Sequence, residues 1–338
     1  MAENSFFHEV HLELEAKLVP SGMWKLPLSY RGGTVAEHRH TVSSASLFDQ
    51  TGTGCFQLTG KMVGKTLDKL FVYPASALAV GGTMENFLLY ENGNFAASFT
   101  LNRMQTEDYM LHLDRNTPAK EREFFVQTME QNKVAVRELS GAMAILALLG
   151  PESENILKSA GAQELPEKNE WKMITVSDDE GDEFRAIAIR HDRFGLTGFD
   201  LCVNPDNAVE FYGALYRISG IAPAGLSAWE SLRLESGTPA AASELHRDVT
   251  LPECGINIGN GRKDSCLVMI ESDRYAALPG STVKNSDGAA VGVITSGAYC
   301  PVAARARMFC RIESSTLELL GENVLITVNG RDIPATLL

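Results

Sequence analysis

The sequence predicts an α+β protein that ends in a small β-barrel, and three observations carry the prediction. Helix and strand signals mix irregularly before residue 250, without the regular strand-helix alternation of a doubly wound sheet. From Ser281 onward the apolar runs are short and separated by turn residues, as in an all-β domain. The chain has 338 residues, 44% hydrophobic and 22% charged, which is material for two or three domains with buried cores.

Helices announce themselves by their ends. Thr117-Pro118 reads as an N-cap followed by proline at the first helical position, opening a helix to about Gln131. Gly150-Pro151 opens another. Asp206 or Asn207 is placed to cap a helix whose apolar positions Val209, Phe211, Leu215 and Ile218 end at Gly220. Ser227-Ala-Trp-Glu230 has the spacing of a capping box, with Gly237 as the stop.

Strands follow from alternation and turn pairs. Asn92-Gly93 separates the runs Phe87 to Tyr90 and Phe95 to Leu101, a hairpin signal because both turn residues tolerate positive φ. Asn329-Gly330 repeats the signal near the C-terminus. The runs Ala290 to Ile294, Ala306 to Ile312 and Val324 to Val328 give the barrel its strands. Ala142 to Leu149, between two glycines, reads as a buried strand and is too short for the roughly 20 residues that cross a bilayer.

Charge and composition exclude several classes. With 43 acidic and 30 basic residues the net charge is -13, which repels nucleic acid and anionic lipid, so neither is expected as a partner. The N-terminus has neither the basic start nor the apolar core of a targeting peptide, and a cytoplasmic location is expected. Cysteines 55, 202, 254, 266, 300 and 310 form no Cys-x-x-Cys and read as small buried apolar residues in a reducing compartment. His38 and His40, two apart on a helical segment, point to different faces, so no metal site is expected there.

Other motifs fall short of chemistry. Gly60-Lys-Met-Val-Gly64-Lys65-Thr66 is one residue short of a P-loop and reads as a surface helix carrying Lys61, Lys65 and Lys69. Gly52-Thr-Gly54 lacks the third glycine of a dinucleotide fingerprint. Ser296-Gly297 lies among strands and forms no nucleophile elbow. Asp178-Asp179-Glu180 with Asp182-Glu183 reads as a solvated loop.

Four segments remain: Tyr30-Arg-Gly-Gly-Thr-Val-Ala-Glu-His38 running to Ser46-Leu-Phe-Asp49, Gly225-Leu-Ser-Ala-Trp-Glu-Ser-Leu-Arg-Leu-Glu-Ser-Gly237, Glu244-Leu-His-Arg-Asp-Val-Thr250, and Gly292-Val-Ile-Thr-Ser-Gly297 with Pro301 beyond. In order and spacing, from about Gly22 to the C-terminus, they resemble the aminomethyltransferase family, the T-protein of the glycine cleavage system, and its folate-binding relatives. The resemblance implies a three-domain cloverleaf of two interlocked α+β lobes and a C-terminal β-barrel. Residues 1–48 and 133–250 would form the first lobe, 49–132 the second and 262–338 the barrel.

The resemblance also implies a function and a site. The implied activity is folate-dependent one-carbon transfer, in its specific form aminomethyl transfer from a lipoylated H-protein to tetrahydrofolate. Demethylation of a small metabolite onto tetrahydrofolate is an alternative, and a non-catalytic folate-binding or scaffold protein is another. Asp200, in Gly198-Phe-Asp-Leu, falls on the family's buried acid, which takes paired charge-assisted hydrogen bonds from the pterin's edge. Arg193 stands where the family has an aromatic, Trp229 replaces an arginine, and Arg115 or Asn116 takes the place of a folate-contacting asparagine. These five are the expected folate-binding residues.

Ala96 and Ala97 fill the place of the family's aspartate pair, so no catalytic residue is assigned. Thr51-Gly-Thr53 replaces Ser-His-Met, and the stretch after Gly255 lacks the family's Phe-Ile-Gly-Lys. Residue types alone offer plainer roles: Asp200 capping a backbone amide, Trp229 as core, and Arg233 in an ion pair with Glu230 or Glu235.

Overall fold

Strand Ala144–Leu149 is buried along its whole length and lies inside a six-stranded sheet, ordered Trp171–Ser177, Glu183–Arg190, Gly198–Val203, Ala144–Leu149, Ala45–Asp49, Ile221–Pro223. The structure is a computed structural model that describes residues 2–258 and 263–338, and every statement below concerns those residues. The barrel boundary expected at 262, and part of the stretch after Gly255, fall on 259–262, outside the described residues.

Side chains alternate across this sheet. Phe199, Leu201 and Val203 enter the main core with Leu146, Leu148 and Phe211, while Cys202 faces a smaller cluster with Cys55 and Ile189. Each fully buried Leu or Phe contributes about 1.5–3 kcal/mol. Asp200 alternates with Phe199 and Leu201, and is paired in register with Ala147 and Ile189. Its carboxylate therefore leaves the sheet on the face opposite the main core.

A five-stranded sheet is ordered Thr83–Leu89, Phe95–Gln105, Asp108–Leu113, Gly54–Thr59, Ala135–Glu138. The chain forms two units, Met1–Leu88 with Ala97–Trp229, and Leu89–Ala96 with Glu230–Leu338. In the second, strands Ser265–Ser272, Arg305–Glu313, Ala290–Cys300, Thr282–Lys284, Asn323–Val328 and Arg331–Leu337 close into the expected barrel around Ile270, Met308 and Ile326. Asn329 and Gly330, at φ 49° and 76°, make its last hairpin turn.

Several helix ends differ from the sequence reading. Ala119–Gln131 starts after Pro118, and the buried Thr117 hydroxyl finds no hydrogen-bond partner among the described residues. The N-cap position falls on Pro118, one residue later than the sequence reading, so Thr117 lies outside the helix end. Ala208–Tyr216 begins after Asn207 without a side-chain cap, and Asn204 accepts from Asp206 N–H one turn earlier. Leu226–Ser236 already includes Ser227, so the capping box does not form, and Glu230 accepts from Arg233 Nε at 2.9 Å instead. A guanidinium outbids a backbone amide for a carboxylate because it brings a full charge. Gly237, at φ 72°, ends that helix as expected. At Asn92-Gly93 the glycine has positive φ and Asn92 does not, so the hairpin forms with a longer turn closed by Tyr90 N–H donating to Asn94 O at 2.9 Å.

The near P-loop is a short helix, Val63–Leu67, with Lys61, Lys65 and Lys69 exposed. The six cysteines are free thiols, five of them buried. No helix is long and apolar enough to cross a membrane.

Candidate active site

Everything at this site belongs to the first unit. Strands Glu183–Arg190 and Gly198–Val203 are joined by a loop that narrows to a tight turn, where Arg193 N–H donates to Leu196 O at 3.1 Å and Leu196 N–H returns to Arg193 O at 2.8 Å. Phe194 and Gly195 occupy the turn with φ 57° and 75°. Left-handed backbone is cheap for glycine and costly for phenylalanine, so Phe194 is a strained position. Below the turn, a Cβ on Gly198 would lie 2.5 Å from His191 O, so only glycine fits beside the histidine backbone.

This turn brings three of the five expected residues together. Arg193 Nη1 and Nη2 donate to Asp200 Oδ1 and Oδ2 at 2.8 and 2.7 Å. The same guanidinium lies 5.5 Å from the centre of the Trp229 ring. Trp229 is half-buried and meets Phe48 and Phe194 edge-on, with centroids 5.2 and 5.1 Å away. The surroundings of Trp229 are thus built from the protein's own side chains. Arg115 is half-buried and donates from Nη1 to Asp49 O at 3.3 Å, and Asn116 is exposed on the following turn.

Sequence reasoning missed His191. Its Nδ1 meets Asp200 Oδ2 at 3.0 Å and its Nε2 meets Glu85 Oε1 at 3.0 Å, so each ring nitrogen faces a carboxylate. Burial and the charge of Arg193 oppose the imidazolium, but the hydrogen bonds to Asp200 and Glu85 override them and raise its pKa. Burial also opposes ionisation of Asp200, yet Arg193 and His191 hold its carboxyl well below the usual range. Nearby, burial pushes His112 down to about 4, a neutral ring whose Nδ1 has no hydrogen-bond partner. No local motif signals His191 and Glu85, which are 106 residues apart.

A cleft of about 840 Å³ opens on the other side of His191. Glu85, Thr100, Lys168, Trp171 and His191 line it, together with Thr83, whose buried hydroxyl has no hydrogen-bond partner. The wall therefore offers an acid, an imidazole, a lysine and an indole. Ala96 and Ala97 are fully buried on strand Phe95–Gln105 and supply no polar group.

Three of the sequence's most recognisable segments prove to be rivets. Glu37 is buried and accepts from Gly225 N–H at 2.9 Å and from Tyr30 N–H, joining the first segment to the second. A Cβ on Gly225 would lie 2.5 Å from Leu28 O, which explains that glycine by close packing. Arg233 is also buried, and pairs with Glu230 as expected and also with Glu244.

Comparisons with known proteins agree with this architecture. The family described as the GCVT N-terminal domain matches residues 7–259. An aminomethyltransferase of Alkaliphilus metalliredigens is 25% identical, over 97% of this chain and 94% of its own. One from Saccharopolyspora erythraea is 26% identical with the same two coverages, 97% and 94%. The crystal structure of the glycine cleavage system aminomethyltransferase T from Bartonella henselae superposes with a TM-score of 0.85 at 21% identity, covering 100% of this chain and 97% of that one, and so shares the fold.

Proposed function

We propose that this chain, which belongs to the GCVT N-terminal domain family, transfers a one-carbon unit to a reduced folate held in the cleft beside His191. Folate-dependent aminomethyl transfer is the chemistry of the family, and the chain is a transferase of that kind, with tetrahydrofolate as acceptor. The observation that carries the reading is the family match over 7–259, a span that contains every residue lining the cleft.

The cleft suits such a ligand. Its volume of about 840 Å³ falls within the range of small-molecule sites. Glu85 and His191 supply polar partners, and Trp171 presents an aromatic surface. Lys168 and Lys172 bring positive charge toward an acidic tail. Bound tetrahydrofolate supplies the nitrogen that accepts the carbon. Asp200, Arg193 and Trp229 are assigned to the pterin end, and Arg115 and Asn116 remain folate contacts in this reading.

The finer form has the aminomethyl donor carried on a lipoylated H-protein, in the cytoplasm, with lobes at 1–48 plus 133–250 and at 49–132 and a barrel at 262–338. Two separate sheets and a closed barrel support a threefold division, but strand Ala135–Glu138 pairs with Gly54–Thr59 in the second sheet and so lies across the boundary drawn at 133. Titrating tetrahydrofolate while following tryptophan emission, with Trp171 in the cleft as reporter, is expected to give saturable quenching. Release of ammonia from the aminomethylated H-protein then identifies the donor, and no release with a methyl donor active instead favours demethylation. A second reading, folate binding without turnover, is favoured by Ala96 and Ala97, whose complete burial leaves no carboxylate where the family keeps its pair. Saturable binding with no product from either donor selects it.

A further inference from the structure

Asp200 presents a fork that is already filled from within the chain. A carboxylate with both oxygens directed the same way takes two parallel N–H donors, and a guanidinium supplies that pair. So does the 2-aminopyrimidine edge of a pterin, through its exocyclic amine and the adjacent ring N–H. Arg193 makes both bonds, at 2.8 and 2.7 Å, while His191 takes a third position on Oδ2 at 3.0 Å. With an acceptor capacity of about four, and a side chain 5% exposed, Asp200 cannot add a second pair of donors. A ligand reaching it must replace Arg193.

Arg193 is placed to be replaced. Its side chain is 19% exposed, and it stands at the edge of the strained Phe194-Gly195 turn rather than on a strand. Its face rests on Trp229, a contact that does not involve Asp200 and can hold the guanidinium when the fork is given up. The remaining titratable groups around the carboxylate are His191, and Glu85 beyond it; His112 is neutral.

We propose that Arg193 is a specificity-determining residue that competes in cis for Asp200, so that an aminopyrimidine edge binds this acid only by displacing the guanidinium. The proposal rests on the folate reading and concerns which ring edge the site accepts. It makes the wild-type site discriminate against neutral pterins that bring no further contacts, because their two bonds carry charge only on the acceptor and must repay two that carry it at both ends.

Calorimetric titration with a tetrahydropterin that lacks the benzoylglutamate tail tests it. Arg193→Ala is expected to bind that probe at least about tenfold more tightly than the wild type. The gain should disappear in Arg193→Ala/Asp200→Asn, and millimolar guanidinium should compete with the pterin in Arg193→Ala by refilling the fork. Arg193→Lys keeps the charge but not the paired geometry, and is expected to fall between. Thermal melts establish that each variant is folded, and Arg193→Lys carries the test if the alanine variant is not. Binding no tighter than wild type in both Arg193 variants overturns the proposal, as does a gain that survives loss of Asp200. Equal tetrahydrofolate affinity in wild type and Arg193→Ala sinks this inference and leaves the folate reading standing. Tighter pterin binding without turnover on any donor does the reverse for the transfer reaction.

Discussion

The first unit pairs half-buried Arg193 with Asp200, and the second buries Arg233 against Glu244, yet the two pairs are finished differently. Glu244 is fully buried, and its oxygens accept from Arg233 Nη1 at 3.0 Å, Ala240 N–H at 3.0 Å, and the hydroxyls of Thr295 and Ser296 at 2.7 Å each. Arg233 in turn donates to Thr238 O at 2.7 Å, Ser296 Oγ at 2.9 Å and Glu230 Oε2 at 2.9 Å. Every partner is a backbone group or a side chain held by the helix or the barrel. Asp200 instead has two partners, both side chains on the turn-bearing loop, one beside the cleft and one stacked on an indole. A carboxylate tied to many fixed donors cements a structure, whereas one tied to a movable cation is available for exchange.

The contrast predicts a graded set of outcomes. Glu244→Ala strands four donors in the interior and should lower the unfolding free energy by about 4 kcal/mol, read from urea denaturation. A loss below about 1 kcal/mol would mean that the network is not cement.

The next effect comes from the titrating neighbourhood of the first pair. His112 is neutral in the folded chain with its pKa at about 4, while the unfolded chain protonates it near 6.5. The unfolded state therefore binds more protons between those values, and stability should fall as pH drops from about 6.5 to 4, by up to about 3 kcal/mol. His112→Gln should flatten that acid limb, and an unchanged limb would assign it to other groups.

Asp200→Ala should cost less than the Glu244 variant, about 2 kcal/mol, because Arg193 reaches solvent and His191 keeps Glu85 as a partner. An equal or larger loss would erase the distinction between the pairs. The smallest effect is expected for Arg193→Met/Asp200→Leu, where removing both charges together should leave stability within about 1 kcal/mol of wild type. The same exchange at Arg233 and Glu244 should not be neutral, since Ala240 N–H and the Thr295 and Ser296 hydroxyls would lose their acceptor.

Much of the scaffold was legible in the residues. The barrel strands, the buried Ala144–Leu149 strand and the Asn329-Gly330 turn follow from alternation and turn chemistry, which act over neighbouring residues. Helix starts were less legible. Ser227 and Glu230 have capping-box spacing, but Glu230 meets Arg233, and Thr117 is left uncapping before Pro118. Local preferences worth about 1 kcal/mol yield to a charged partner supplied by the fold.

The site divides in the same way. The quoted segments identified the family and pointed to Asp200, Arg193 and Trp229 as candidates, yet nothing in them foretold that Arg193 would close on Asp200 or that Phe194 would turn left-handed. His191 was invisible because its meaning comes from Glu85, 106 residues away, and from Asp200 on the adjoining strand.

By itself, then, the chain's order of residues determined an α+β body with a terminal barrel, a family, and the absence of an aspartate pair at Ala96 and Ala97, because periodicity, turn chemistry and side-chain identity are properties of nearby residues. Tertiary structure alone decided which cation holds Asp200, which histidine faces the cleft and which motif residues are rivets. Those outcomes depend on distances between groups far apart in the chain, and such distances exist only once the strands are in register.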